Sequence, residues 1–203
     1  MMEVLRYVLV ALMGYLLGSF PTGYLAARLW KGVDPRQHGS GRTGGTNVLR
    51  AAGRGAAVFT VLGDLLKGLL AVLLARKLVG TDVALVMAGL AAVFGHNRSI
   101  FLGFRGGAGS MTNAGVMLAM VPHVVPFMAA AALIVALRSR IASIASIAAA
   151  VMMVVALLLS FFLLLTPVAY VVYGVLACAL ILFELRPNIK RLCSGAERRV
   201  EHY

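Results

Sequence analysis

Apolar residues in this chain come in long unbroken runs, and the polar residues gather in short stretches between them. Six apolar zones stand out, near 4–24, 56–76, 83–104, 113–137, 141–163 and 164–184. The runs VFTVLGDLLKGLLAVLLA and SIAAAVMMVVALLLSFFLLL are long enough to cross hydrocarbon as helices. The pattern predicts an all-α, polytopic integral membrane helical bundle, organised as one domain over 1–203. The first run follows Arg6, and no small-residue cleavage site precedes the charged loop after it. It is therefore read as a span and not as a cleaved signal peptide.

Charge sets the number of crossings. Between 25 and 55 lie Arg28, Lys31, Arg36, Arg42, Arg50 and Arg54 against the single acid Asp34. The tail 186–203 carries Arg186, Lys190, Arg191, Arg198 and Arg199 against Glu197 and Glu201. Lys and Arg collect in cytoplasmic loops, so both stretches belong inside. Six single crossings would put them on opposite sides. Zone 113–137 holds Pro122 and Pro126, which interrupt helix hydrogen bonding. It reads as two short helices, near 110–121 and 123–137. Twelve helical residues reach only roughly 18 Å, so the first is a stub tolerated among other helices. The count becomes about seven transmembrane helices, with the N-terminus outside and the C-terminus cytoplasmic. Arg138 and Arg140 then lie inside and the loop 77–82 outside. Six single spans, with the charge bias ignored, is the competing reading.

Composition agrees with a membrane chain: 61% of the 203 residues are hydrophobic, against roughly half in soluble domains. The formal net charge of +12 reports topology first, and anionic substrate or lipid headgroups second. Nucleic acid is a poor fit, because no soluble domain is left to present a groove. Cys178 and Cys193 lie in an apolar run and in the basic tail, which argues against a disulfide. His38, His96, His123 and His202 have no metal-ligand spacing, so no structural zinc is expected.

Three polar stretches share the predicted cytoplasmic side. The first is HGSGRTGGTNVLR, residues 38–50. Gly39, Gly41, Gly44 and Gly45 let backbone N–H groups turn inward as an anion nest. Ser40, Thr43, Thr46 and Asn47 add donors, and Arg50 can add a charge-assisted pair. The second is GHNRSIFLGFRGGAGSMTNAG, residues 95–115. There Arg105, Gly106, Gly107 and Gly109 lead into a helix start at Ser110 or Thr112, where an anion is favoured. The third, LRPNIKRLCSGAE at 185–197, supplies Asn188, Lys190 and Arg191. None matches the nucleotide-binding loop G-x-x-x-x-G-K-[ST], and any one alone could be only a tight connection. Within the spans, Asp64 and Lys67 are three apart on one helix and are expected to face the interior and pair. His96, at the cytoplasmic mouth of its helix, is open between scaffold and substrate contact. His123 reads as structural.

Together these stretches resemble the bacterial acyl-phosphate:glycerol-3-phosphate acyltransferase family, PlsY, over essentially the whole chain. That family's first motif resembles G-S-G-N-x-G-A-T-N-x-x-R, and residues 39–50 read GSGRTGGTNVLR. Its second runs from a Gly-His pair, here Gly95-His96, to F-x-x-F-K-G-G-K-G-x-A-T, here Phe101 through Thr112. Its third resembles H-R-E-N-I-K-R-L-x-x-G-x-E, here Leu185 through Glu197. GSFPTGYLAARLWKGVDPR and GDLLKG are also similar. The resemblance implies acyl transfer from acyl phosphate to the sn-1 hydroxyl of glycerol 3-phosphate, giving lysophosphatidic acid and phosphate. It implies no metal and no coenzyme A. It also implies a bacterial cell (cytoplasmic, inner) membrane location and a soluble acyl-phosphate-producing partner (PlsX-like).

On that basis Ser40, Arg50 and His96 are the candidate catalytic residues. Arg42, Thr46, Asn47, Arg105, Gly106, Gly107, Gly109, Thr112, Asn188, Lys190 and Arg191 are the candidate substrate ligands. His96, Ser40 or a substrate phosphate could be the base. Four positions depart from the motifs: Arg42 for asparagine, Ala108 for lysine, Leu185 for histidine and Pro187 for glutamate. Arg42 or Arg98 is expected to return a cation to the phosphate pocket. The competing classes are a divergent, catalytically impaired paralogue that binds lipid or phosphate, and a small anion or phospholipid transporter. Against transport, the polar stretches share one side and no inverted repeat is visible.

Overall fold

The computed structural model describes residues 2–200, and every regular element in them is helical. The helices are α1 (Met2–Ser19), α2 (Thr22–Lys31), α3 (Gly45–Ala52), α4 (Arg54–Leu78), α5 (Asp82–Asn97), α6 (Ser110–Met120), α7 (Val125–Ser139), α8 (Ala142–Phe162), α9 (Val168–Glu184) and α10 (Arg186–Cys193). The chain falls into two compact units, Met1–Met120 and Val121–Tyr203.

In the first unit α1 lies along α5, and α4 packs against α1, α2, α3, α5 and α6. Small residues make these approaches possible. A Cβ on Gly18 would collide with the Ala92 carbonyl, and one on Gly115 with the Leu65 carbonyl. With lipid tails as apolar as the helices, close backbone packing is what joins membrane helices. α1 breaks at Phe20–Pro21, where proline lacks the N–H that the helix needs. The first span then runs on as α2 to Lys31, further than the apolar pattern reaches. The stretch 25–55, a loop by its charge pattern, therefore holds most of α2, all of α3 and the start of α4. α2 stops at Gly32, whose φ of +67° lets its N–H return to the Arg28 carbonyl.

The predicted division of zone 113–137 is present as α6 and α7, with the short 3-10 turn Pro122–Val124 between them. α6 has 11 residues, about 16 Å of rise. Its end is not left bare: Arg76 donates to the Ala119 carbonyl at 2.6 Å. In the second unit α8 packs against α7 and α9, and His123 Nε2 lies 2.9 Å from Ser160 Oγ. Among the described residues, five helical segments are long and apolar enough to cross a membrane, or six if α9 and α10, bent by 62°, count as one.

Candidate active site

The first glycine stretch is organised by a single side chain. Asn47 is buried on α3. Its Nδ2 donates to the carbonyls of Pro35 at 2.8 Å, His38 at 3.1 Å and Arg42 at 2.7 Å, and its Oδ1 accepts from the Ser40 N–H at 2.8 Å. The segment 35–42 is thereby wound round one amide. Gly39, at φ +53°, sits against Asn47 Oδ1 where a Cβ would collide. The Arg50 stem runs beside the same glycine, and its head is exposed. Ser40, Arg42 and Thr46 lie in the same segment. Thus the structure brings Ser40, Arg42, Asn47 and Arg50 together, with Asn47 occupied by the loop's own backbone.

A second clip lies just upstream. Asp34 caps the turn Pro35–Gln37 by accepting from the Arg36 N–H at 2.9 Å, and pairs with Arg36 Nη2 at 2.8 Å. The guanidinium hydrogen-bonded to Asp34 holds its carboxyl below the usual carboxylate range. The same bond raises Arg36 above its ordinary value. Arg36 Nη1 also donates to the Leu102 carbonyl at 3.1 Å, and so ties the first loop to the second.

The second stretch folds back on the end of α5. Gly106 N–H donates to the Asn97 carbonyl and Gly107 N–H to the His96 carbonyl, both at 3.1 Å. Thr43 N–H reaches the Gly106 carbonyl at 3.4 Å, which makes a second tie between the loops. α6 begins at Ser110, as expected, after Gly109 at φ +88°. Arg105 is exposed, Gly106 half-buried and Gly107 and Gly109 buried. Thr112 is fully buried, and its hydroxyl has no hydrogen-bond partner among the described residues; the side chains of Asn97 and Ser110 share that condition. Asn97 does not stand out in the sequence, where it is one more polar residue after a histidine.

Beneath the loops lies a polar cluster. Lys67 Nζ is 2.9 Å from Asp64 Oδ1, the pair expected from their spacing. Thr22 Oγ1 donates to the same oxygen, and His96 Nδ1 lies 3.4 Å from it. His96 is only 5% exposed, so the ring sits inside the unit and not at an open mouth. With Thr43 and Ser99 it lines a crevice of about 10 Å³, near the minimum for one water. An apolar groove of about 600 Å³ lies between α1 and α4, lined by Leu12, Leu16, Phe59, Leu66 and Phe101, with Thr22 and Lys67 among its walls. That is within the size range of small-molecule sites.

The third stretch belongs to the second unit. Asn188 Nδ2 and Arg191 Nε both donate to Glu197, at 2.7 and 2.8 Å, and Ser143 Oγ joins them at 3.3 Å. Lys190 is exposed. Glu197 is visible in the sequence only as the last letter of a motif, and no local pattern marks Ser143. No group of three or more His, Cys, Asp or Glu side chains placed to hold a metal occurs among the described residues.

The family model described as glycerol-3-phosphate acyltransferase matches residues 8–195. A glycerol-3-phosphate acyltransferase of Rubrobacter xylanophilus is 47% identical over 95% of this chain and 94% of its own. One of Clostridioides difficile is 37% identical over 98% of each. Among solved structures, the glycerol 3-phosphate form of PlsY, an integral membrane glycerol 3-phosphate acyltransferase, superposes with a TM-score of 0.86 at 38% identity, covering 96% of this chain and 95% of that one. Its lysophosphatidic acid form gives 0.84 at the same identity, covering 95% and 94%. The helical membrane fold of this multi-pass chain is thus shared along nearly its whole length, and the chain belongs to the glycerol-3-phosphate acyltransferase family.

Proposed function

We propose that the chain transfers an acyl group from an acyl phosphate to the sn-1 hydroxyl of glycerol 3-phosphate, in the cytoplasmic membrane of a bacterium. The observation that carries this reading is the joining of two glycine loops by Thr43–Gly106 and Arg36–Leu102 in the same unit as a large apolar groove. Phosphates need the loops' cations and hydroxyls, and an acyl chain needs the groove. The structures of PlsY with glycerol 3-phosphate and with lysophosphatidic acid support the acceptor and the product. The choice of acyl phosphate as donor rests on the motifs.

An acyl phosphate is already activated, so direct attack suffices and no enzyme-bound acyl is required. The acceptor oxygen bonds to the carbonyl carbon, the carbon–oxygen bond to phosphate breaks, and the hydroxyl proton passes to a base and on to the departing phosphate. Ser40 and Arg50 hold phosphate oxygens beside the reacting carbon, with Arg42 and Thr46 around them. Arg105 holds the donor phosphate, on the turn of Gly106, Gly107 and Gly109 that leads into the first turn of α6 with Thr112. Asn47 shapes the first loop. In the second unit Asn188 and Arg191, held by Glu197, and the exposed Lys190 offer donors and a cation for a phosphate. The base is one of His96, Ser40 and a substrate phosphate. Orientation and charge neutralisation supply most of the rate.

About seven crossings, with the N-terminus outside and the C-terminus inside, would put all three stretches in the cytoplasm, within reach of a soluble enzyme that makes acyl phosphate. The reading is tested by expression in a bacterium whose own glycerol-3-phosphate acyltransferase is conditional. Growth without that enzyme is expected. Absence of growth, with the protein present in the membrane, would count against it.

A further inference from the structure

The turn between α7 and α8 is shaped to receive the end of the chain. Arg140 closes α7 with φ at +56°, a left-handed conformation uncommon outside glycine. Its N–H returns to the Ala136 carbonyl at 2.9 Å, and its own carbonyl accepts the Val200 N–H at 2.7 Å. Ser139 Oγ accepts the Ile141 N–H at 3.1 Å and steadies the same turn. In the first turn of α8, Ser143 Oγ donates to Glu197. The segment 197–200 is thus tied to 140–143 at both of its ends, and Val200 is buried. The ties have an electrostatic consequence. Arg198 and Arg199 are set against Arg138 and Arg140, and all four residues are exposed. Glu197, the acid next to them, is occupied by Asn188, Arg191 and Ser143.

Charge bias explains why arginines occur at this end of the helices. It asks only for their number on one side, and a loose tail would meet it equally well. The left-handed turn and the fastened tail are what gather them. The patch also borders lipid-facing surface. The stretch Pro122–Ser139 is long and apolar enough to cross a membrane, and it presents Leu133, Ile134 and Leu137, each more than half exposed, just before Arg138. The chains of a phospholipid can lie along those residues while its phosphate stands level with the arginines. Guanidinium groups take phosphate oxygens in bidentate pairs, and a basic cluster at that level favours anionic headgroups.

We propose that Arg138, Arg140, Arg198 and Arg199, gathered by the tail-to-turn ties, form a binding site for the headgroup of an anionic phospholipid. The site stands apart from the residues assigned to acyl transfer, so its test does not depend on that assignment. The purified full chain, stripped of lipid in detergent, is titrated with phosphatidylglycerol or with zwitterionic phosphatidylcholine of the same acyl chains. Bound lipid is counted by native mass spectrometry. The wild type is expected to hold one phosphatidylglycerol at least about tenfold more tightly than phosphatidylcholine, and Arg198→Gln with Arg199→Gln should lower that preference about tenfold. Val200→Pro keeps all four arginines and removes the N–H that meets Arg140. It should weaken phosphatidylglycerol binding at least about threefold, as the loss of one hydrogen bond would. Equal affinity of the wild type for the two lipids overturns the proposal without any variant. So does a double variant that keeps the preference. A Val200→Pro protein that binds as the wild type does would assign the preference to charge alone and overturn the tail-built site. Release of phosphatidylglycerol by millimolar inorganic phosphate would make free phosphate the occupant and overturn the lipid assignment.

Discussion

Asn47 has the most demanding position of any single residue in the first loop. Three carbonyl oxygens face its amide nitrogen, and one N–H faces its amide oxygen. Asn47→Asp turns the donor into a second acceptor and leaves those carbonyls opposed by charge. A loss of at least about 2 kcal/mol is expected from the unmade buried bonds, read as a lowered midpoint of thermal unfolding in detergent together with lost turnover. Gly107→Ala acts at the second loop. Its Cβ has no room beside His96, so kcat/KM should fall at least about tenfold, with the destabilisation of about 1–3 kcal/mol typical of overpacking. Arg42 stands where the family motif has asparagine, while Ala108 stands where it has lysine. Arg42→Asn is expected to raise KM for one of the two phosphate substrates; unchanged kinetics would remove Arg42 from the pocket. Ser40→Ala should abolish turnover in a folded protein, and full activity would defeat the assignment. The residue types in this loop are legible in the sequence because glycine, hydroxyl and cation recur within one short stretch. Which of them serve the loop and which serve the ligand is not, since Asn47 bonds to backbone carbonyls that carry no sequence signal.

At the level of elements, breaks are easier to read than joins. Pro122 and Pro126 divide a greasy zone into α6 and α7 because proline removes a backbone donor. Pro21 divides α1 from α2 for the same reason, yet the cations of α2 mask its helical spacing and give it the look of a loop. The ties between elements leave less trace. Asp64 and Lys67 are neighbours on one helix, and their pairing follows from spacing alone. His96 joins them from the following helix, which only the packing of α4 with α5 reveals. The Asp34–Arg36 clip gives a test at this scale. Its carboxyl is held below the ordinary value by Arg36. The stability it contributes is therefore complete above the unfolded-state value of about 3.9 and is lost as pH falls through the lower folded value. The difference in unfolding midpoint between wild type and Asp34→Asn should be constant near neutrality and shrink only well below pH about 4. A difference that shrinks instead around pH ~6.5, where histidine titrates, would mean that another group is responsible. Arg76→Met removes the donor to the end of α6. Because Arg76 is largely exposed, the expected loss is only about 1 kcal/mol, visible in the same melts.

The whole molecule is a multi-pass helical membrane protein of a glycerol-3-phosphate acyltransferase family, and hydropathy alone carries the first half of that statement. Charge bias carries the orientation, which labelling can check. In a Cys193→Ser background, cysteines placed at His38 and Lys190 should react with an impermeant maleimide from the cytoplasmic face, and one at Gly80 from the opposite face. Labelling of positions 38 and 190 from different sides would remove the predicted topology. The acyl donor is the most consequential assignment, and ³¹P NMR of the purified chain in lipid, supplied with palmitoyl phosphate and glycerol 3-phosphate, tests it most directly. Lysophosphatidic acid and inorganic phosphate should appear in equal amounts as both substrates decline. Persistence of both substrates, in a preparation that makes lysophosphatidic acid when given palmitoyl coenzyme A instead, would contradict it.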